Sequence, residues 1–201
     1  MPQKNNIAIM RKETSMTQQK RDLTLQEILK MDMYRYSGAR TFAEMAKTYL
    51  TEPGANYVVW FRIAQKFNNT PFRHIAMFLL RRKMYRYGIE IYPMTQIKPG
   101  FYIGHFSGVI ISPYVKIGKN FNISQGVTIG QGKGGGFPTV GDNVFVGPGA
   151  KIFGDIHIGN NVAIGANAVV TKSVPDNAVV VGIPAKIISE NGSGEYVEYK
   201  V

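Results

Sequence analysis

The chain holds three histidines, His74, His105 and His157, and no cysteine. Without thiols there is no disulfide, no sulfur nucleophile and no thiolate metal site. The histidines are scattered and no carboxylates stand at ligand spacing, so no metal requirement is expected. His74 falls in a basic helical stretch and His157 in an ordinary repeat, which suits structural or surface roles. His105 sits in a different setting, Ile103-Gly104-His105-Phe106-Ser107-Gly108-Val109. A second unusual stretch is glycine-rich, Gln131-Gly132-Lys133-Gly134-Gly135-Gly136-Phe137-Pro138-Thr139. It is not a nucleotide loop, because neither GxxxxGK[ST] nor a strand–GxGxxG–helix context surrounds it. Such an excursion from a regular scaffold suits a flap that faces a ligand.

The scaffold that must position these residues is legible from Ile91 onward. Apolar anchors recur every sixth residue at Ile91, Ile97, Ile103 and Val109. After a two-residue shift they continue at Ile111, Ile117, Ile123 and Ile129, and a third register runs Val140, Val146, Ile152, Ile158, Ile164, Val170. Alternating strands require a period of two and helices one of 3.6. A six-residue period with β-branched anchors marks a left-handed parallel β-helix, in which three hexapeptides close one triangular turn. Asn120, Asn143 and Asn161 suit corners that require positive φ. Ile129 and Val140 are eleven residues apart instead of six, and the glycine-rich stretch fills the difference.

Before the repeats the composition changes. Net charge is +11 overall, of which residues 1–89 carry +10 and residues 90–201 only +1. Residues 1–23 are polar and aperiodic and read as a flexible basic tail. Residues 24–88 read as helical. Thr24 caps a first helix, a second spans about 41–50 and stops at the breaker pair Pro53-Gly54, and a third covers about 55–67. A fourth starts at Pro71 and ends near Tyr87, with Gly88 as its stop. Its arginines and apolar residues suit contact with a membrane surface as well as ordinary packing. No nucleic-acid role is expected. The β-helix is expected over 89–188, with a C-terminal tail at 189–201. No signal peptide or bilayer span is evident, so the chain reads as cytoplasmic, at most peripheral to the membrane.

Beyond the repeats, the segment around His105, the run Ser124-Gln125-Gly126-Val127-Thr128-Ile129-Gly130 and the closing Val181-Gly182-Ile183-Pro184-Ala185-Lys186 resemble the serine acetyltransferase branch of the hexapeptide-repeat acyltransferases. The resemblance covers about residues 88–188. It implies acetyl-CoA as co-substrate and a homotrimer with one site per subunit interface. It also implies that His105 is the general base and that Glu90, where serine acetyltransferases carry Asp, orients it. A neutral imidazole removes the hydroxyl proton as the alcohol attacks the thioester, and a carboxylate on its other nitrogen fixes the tautomer. By the same resemblance a backbone N–H near Gly130 and Gly132 holds the oxyanion. Gly147, Pro148 and Ala166 line the pantetheine arm, Lys172 and Lys186 meet the phosphates, and Pro184 the adenine.

The sequence departs from that branch at the acceptor. The family's serine-binding Asp before the histidine, and its Arg-His pair in the glycine-rich loop, correspond here to Gly104, Gly136 and Phe137. Unpaired charges of a bound zwitterion are costly. The short basic N-terminal region, with a Glu and a later His, resembles the colanic-acid type of polysaccharide O-acetyltransferase. The expectation is therefore a sugar hydroxyl in polysaccharide biosynthesis as acceptor, with serine, for cysteine biosynthesis, as the alternative.

Overall fold

The computed structural model describes residues 23–201. Apart from Leu23, the tail read over residues 1–23 lies outside the described residues. Four helices open the described chain: α1 (Leu25–Ser37), α2 (Phe42–Thr51), α3 (Pro53–Phe67) and α4 (Arg73–Tyr87). The first two begin with complete capping boxes, Thr24 with Glu27 and Thr41 with Glu44, which satisfy free N–H groups at each start. Gly38 and Gly88 end α1 and α4 in the left-handed conformation. The breaker pair behaves differently from the expectation. Pro53 occupies the first turn of α3, where its missing N–H costs nothing, and Gly54 lies inside the helix. Pro71 lies in the turn before α4, which starts at Arg73. No helix among the described residues is long and apolar enough to cross a membrane.

From Ile89 the chain coils into a triangular parallel β-solenoid. Its first face holds β1 (Ile89–Ile91), β4 (Val109–Ile111), β7 (Thr128–Gly130), β10 (Lys151–Phe153) and β13 (Val169–Val170). The second holds β2 (Gln96–Ile97), β5 (Lys116–Ile117), β8 (Thr139–Val140) and β11 (His157–Ile158). The third holds β3 (Tyr102–Ile103), β6 (Asn122–Ile123), β9 (Phe145–Val146), β12 (Ala163–Ile164), β14 (Val179–Val181) and β15 (Lys186–Ser189). Every pairing is parallel except β14 with β15.

The anchors stack in register. On the first face Ile91, Ile111, Ile129, Ile152 and Val170 lie over one another, and all are buried. Each such β-branched side chain contributes about 1.5–3 kcal/mol on burial. Val109 does not belong to this stack, since it pairs with Ile89. The first-face anchors Ile91 and Ile111 are therefore twenty residues apart, while Ile111 and Ile129 are eighteen. The two extra residues fall between Ile103 and Ile111, in the corner that carries His105.

At the corner between the second and third faces, Asn120, Asn143, Asn161 and Asn177 adopt positive φ and link side chain to side chain at 2.8–3.0 Å. The chain beyond β15 runs back along this corner toward the first coil. Ser193 N donates to the Asn161 carbonyl, Tyr196 stacks on Phe145, and Val201 N donates to Asn120 Oδ1 at 2.9 Å.

The helices seal the first coil. Arg62 forms a buried ion pair with Asp32 at 2.7 Å and donates to the carbonyls of Ile97 and Lys98. Asp32 also accepts the N–H groups of Gly100 and Phe101. Both charges are thus fully hydrogen-bonded, which offsets their desolvation.

Candidate active site

His105 lies at the corner between the third and first faces, at the end of β3. It is exposed together with Phe106, Ser107 and Gly108. The corner is built from the two inserted residues. Ser107 has φ 87° and Gly108 φ 67°, so two consecutive residues adopt a region that costs a side-chain-bearing residue roughly 1–2 kcal/mol. Strain of this kind persists only where surrounding contacts hold it. Here the Ser107 carbonyl accepts the Gly126 N–H, and Gly108 N and the Ser107 backbone pack against Gly88. A Cβ on Gly108 would stand 3.3 Å from Gly126 Cα, and one on Gly126 would stand 3.4 Å from Gly149 Cα. A column of glycines thus lets the backbones of successive coils approach closely beside His105.

The helices hold both strands that lead to the proposed catalytic pair. Tyr57 on α3 donates its hydroxyl to the Ile91 carbonyl at 3.0 Å and accepts the Ile91 N–H at 3.3 Å. This fixes β1, whose central residue Glu90 faces solvent. Burial is the main cause that raises the Tyr57 hydroxyl pKa, and the Glu90 carboxylate adds to it. Tyr36 on α1 accepts the Ile103 N–H at 3.1 Å, two residues before His105, and burial pushes its hydroxyl well up. Gly54 permits the close approach of α3 to β3, because a Cβ there would lie 2.2 Å from the Ile103 carbonyl oxygen. Tyr87, at the end of α4, meets Phe106 edge to face. No hydrogen bond joins Glu90 to His105 in the single chain. Glu90 stands on the first face, and His105 on the corner that adjoins it.

The proposed donor residues separate into two edges of the first face. Pro148 and Ala166 continue the His105 edge downward: the Gln125 carbonyl accepts Gly149 N, and the Pro148 carbonyl accepts Asn167 N. Gly147 is buried on that edge, and Gly182 to Ala185, including Pro184, crosses it at the last coil beside Val169. Gly130, Gly132 and Lys172 lie at the opposite edge, where the first face meets the second. Lys186 is exposed on β15. One chain therefore does not bring His105 together with Gly130, Gly132 or Lys172. The glycine-rich stretch also lies on that opposite edge, as a short turn closed by Gly135 N donating to the Gly132 carbonyl at 3.0 Å. Phe137 packs on Tyr114, and Gly136 fits against Asp155, whose Cβ would be 2.4 Å from an added Cβ.

The sequence reading passed over Lys151. Its ammonium donates to the Gly126 carbonyl at 2.5 Å and to Thr128 Oγ1 at 3.2 Å, bracing the coil beneath Ser107. A lysine inside a repeat carries no local signal of that role. The strained corner did carry one, in the two-residue shift of the anchors. Among the described residues no group of three or more His, Cys, Asp and Glu is arranged to hold a metal ion.

Residues 137–172 match the bacterial transferase hexapeptide (six repeats) family. The chain is 37% identical over 172 residues to a serine acetyltransferase of Staphylococcus aureus, covering 84% of this chain and 79% of the relative. The solved serine acetyltransferase of Neisseria gonorrhoeae in complex with serine matches with a TM-score of 0.71 and 30% identity, over 90% of this chain and 74% of its own. A serine acetyltransferase solved in complex with CoA matches with a TM-score of 0.70 and 29% identity, over 82% and 69% of the two chains.

These relatives correct the expected acceptor. The sugar reading, and the likeness to the colanic-acid type, rested on the missing charged groups at Gly104, Gly136 and Phe137. Their absence shows only that those positions do not pair a zwitterion's charges. Likeness along four-fifths of the chain outweighs it, and the chain belongs to the serine acetyltransferase family of hexapeptide-repeat transferases and is an acyltransferase.

Proposed function

We propose that this protein is a serine O-acetyltransferase, which moves the acetyl group of acetyl-CoA onto the hydroxyl of L-serine. The observation that carries the reading is the identity to the staphylococcal enzyme over 84% of the chain. The exposed His105 on its strained corner, where Gly108 and Gly126 let the coils approach closely, supports it. So do the relatives solved with serine and with CoA.

In this reading His105 takes the serine hydroxyl proton as the oxygen attacks the thioester carbonyl, and Glu90 steadies the resulting imidazolium. The tetrahedral intermediate expels the CoA thiolate, which recovers a proton from the imidazolium, leaving O-acetylserine and free CoA. Backbone N–H groups near Gly130 and Gly132 steady the oxyanion. Because His105 and those glycines occupy opposite edges of one face, the complete site needs the His105 edge of one copy beside the glycine edge of the next. A ring of three copies meets that condition and places pantetheine along Gly147, Pro148 and Ala166. Lys172 and Lys186 then serve the phosphates and Pro184 the adenine.

The test is release of free thiol from acetyl-CoA by the purified full chain with L-serine, together with its mass in solution. Turnover that requires L-serine, in a trimer or a multiple of it, is the expected result. Absence of serine-dependent thiol release at saturating acetyl-CoA would overturn the assignment.

A further inference from the structure

A cavity lies away from the His105 edge, between α1, the third face and the returning C-terminal segment. Its volume is about 240 Å3, and Arg35, Tyr36, Tyr102, Asn122, Glu198 and Tyr199 line it, with Tyr196 at its wall. A bridging water occupies roughly 30 Å3, so the space exceeds a single water several-fold.

The cavity is built around a buried cation. Arg35 is 3% exposed and forms no ion pair among the described residues. Its Nε donates to the Gly100 carbonyl at 3.2 Å and its Nη2 to Asn122 Oδ1, while Nη1 is buried without any acceptor. A buried guanidinium with an unused N–H costs free energy until an acceptor arrives. The desolvation is large enough to lower the Arg35 pKa. Two carboxylates act on Arg35 electrostatically. Asp32 is committed to Arg62 and to two backbone N–H groups. Glu198, in the C-terminal segment, lines the same cavity and is exposed.

A buried guanidinium with one unused N–H and an exposed carboxylate, both lining one small space among tyrosines, match the two ends of a zwitterion. We propose that this cavity binds a free α-amino acid, its carboxylate on Arg35 and its ammonium on Glu198, as a site separate from the acyl-transfer edge. A simple anion fits less well, because Glu198 opposes it. The occupant would join the C-terminal segment to α1 and to β3. Tyr102 carries its presence toward the acyl-transfer edge, since a Cβ on Gly104 would stand 3.1 Å from the Tyr102 ring, and His105 follows directly.

The experiment is isothermal titration of the full chain with L-alanine, which has no hydroxyl to acetylate, against acetate and ethylamine as half-ligands. L-Alanine is expected to bind more tightly than either half. Arg35→Met should abolish the heat, and Glu198→Gln, an exposed change that leaves the core intact, should weaken L-alanine about fivefold while leaving acetate no weaker. Circular dichroism on both variants separates lost binding from lost folding. The proposal fails if wild-type protein takes up no L-alanine at millimolar concentration. It fails equally if acetate binds as well as L-alanine, or if a folded Glu198→Gln variant binds L-alanine unchanged.

Discussion

The carbonyl of Ser107 accepts the N–H of Gly126 at 2.9 Å while Ser107 itself is held at φ 87°. The bond joins the widened first corner to the regular second one, so the coil beneath supports the bulge that presents His105. Ser107 and Tyr199 are the only described residues other than Gly and Asn at positive φ, and Ser107 sits beside the proposed base.

Ser107→Gly removes the penalty of a Cβ in the left-handed region, so it should stabilise the chain by about 1 kcal/mol. Ser107→Val should destabilise by a similar amount or more and depress kcat, because β-branching is least tolerated there. Urea denaturation and thiol-release kinetics on the pair check both signs.

His105→Ala should lower kcat by about 10²–10⁴-fold, the range of general-base assistance, with little change in the KM for acetyl-CoA. Glu90→Gln should lower kcat by less, and combining the two should cost little beyond His105→Ala alone, as groups that act as a unit do. Full activity in the His105→Ala variant would remove the proposed base.

Gly54→Ala places a methyl 2.2 Å from the Ile103 carbonyl oxygen. It should cost about 1–3 kcal/mol, as overpacking does, and lower kcat by displacing the strand that ends at His105. The neighbouring surface change Thr51→Ala, on the exposed end of α2, serves as the control and should be nearly neutral. Thermal melts beside kinetics would register both effects.

Asp176 has its pKa lowered chiefly by the Asn160 backbone N–H at 2.7 Å, then by the Asn160 side chain, with His157 adding a little. Because the folded value lies below the unfolded one, its stabilisation is complete above the ordinary carboxylate range and vanishes as pH falls through the folded value. Asp176→Asn should therefore unfold at lower urea than wild type near about pH 7, and the gap should close by about pH 2.

The period-six anchors were enough to read the solenoid, because each anchor must point into the same narrow prism and stack on its equivalents in the coils above and below. The cap at Thr24 was equally readable, since a cap depends on residues three apart, whereas the matching cap of α2 at Thr41 was passed over. Gly54 was misread for the complementary reason. As local punctuation Pro-Gly signals a break, whereas its purpose is the approach of α3 to a strand some fifty residues later. The two-residue shift before Ile111 was visible as a number, but only the pairing of Val109 with Ile89 shows that it widens the His105 corner.

The amino-acid order by itself determined the repeat, the six-residue stacking and the presence of one histidine outside the pattern, all of which depend on short-range spacing. Tertiary structure decided which edge each proposed ligand-binding residue occupies and that His105 and the Gly130 region lie apart within one chain. It also decided that the C-terminal segment turns back to close a cavity over Arg35. Those facts depend on how many residues each turn of the coil consumes and where the returning C-terminal segment lands. Both are sums over the whole prism, and no single stretch of sequence contains them.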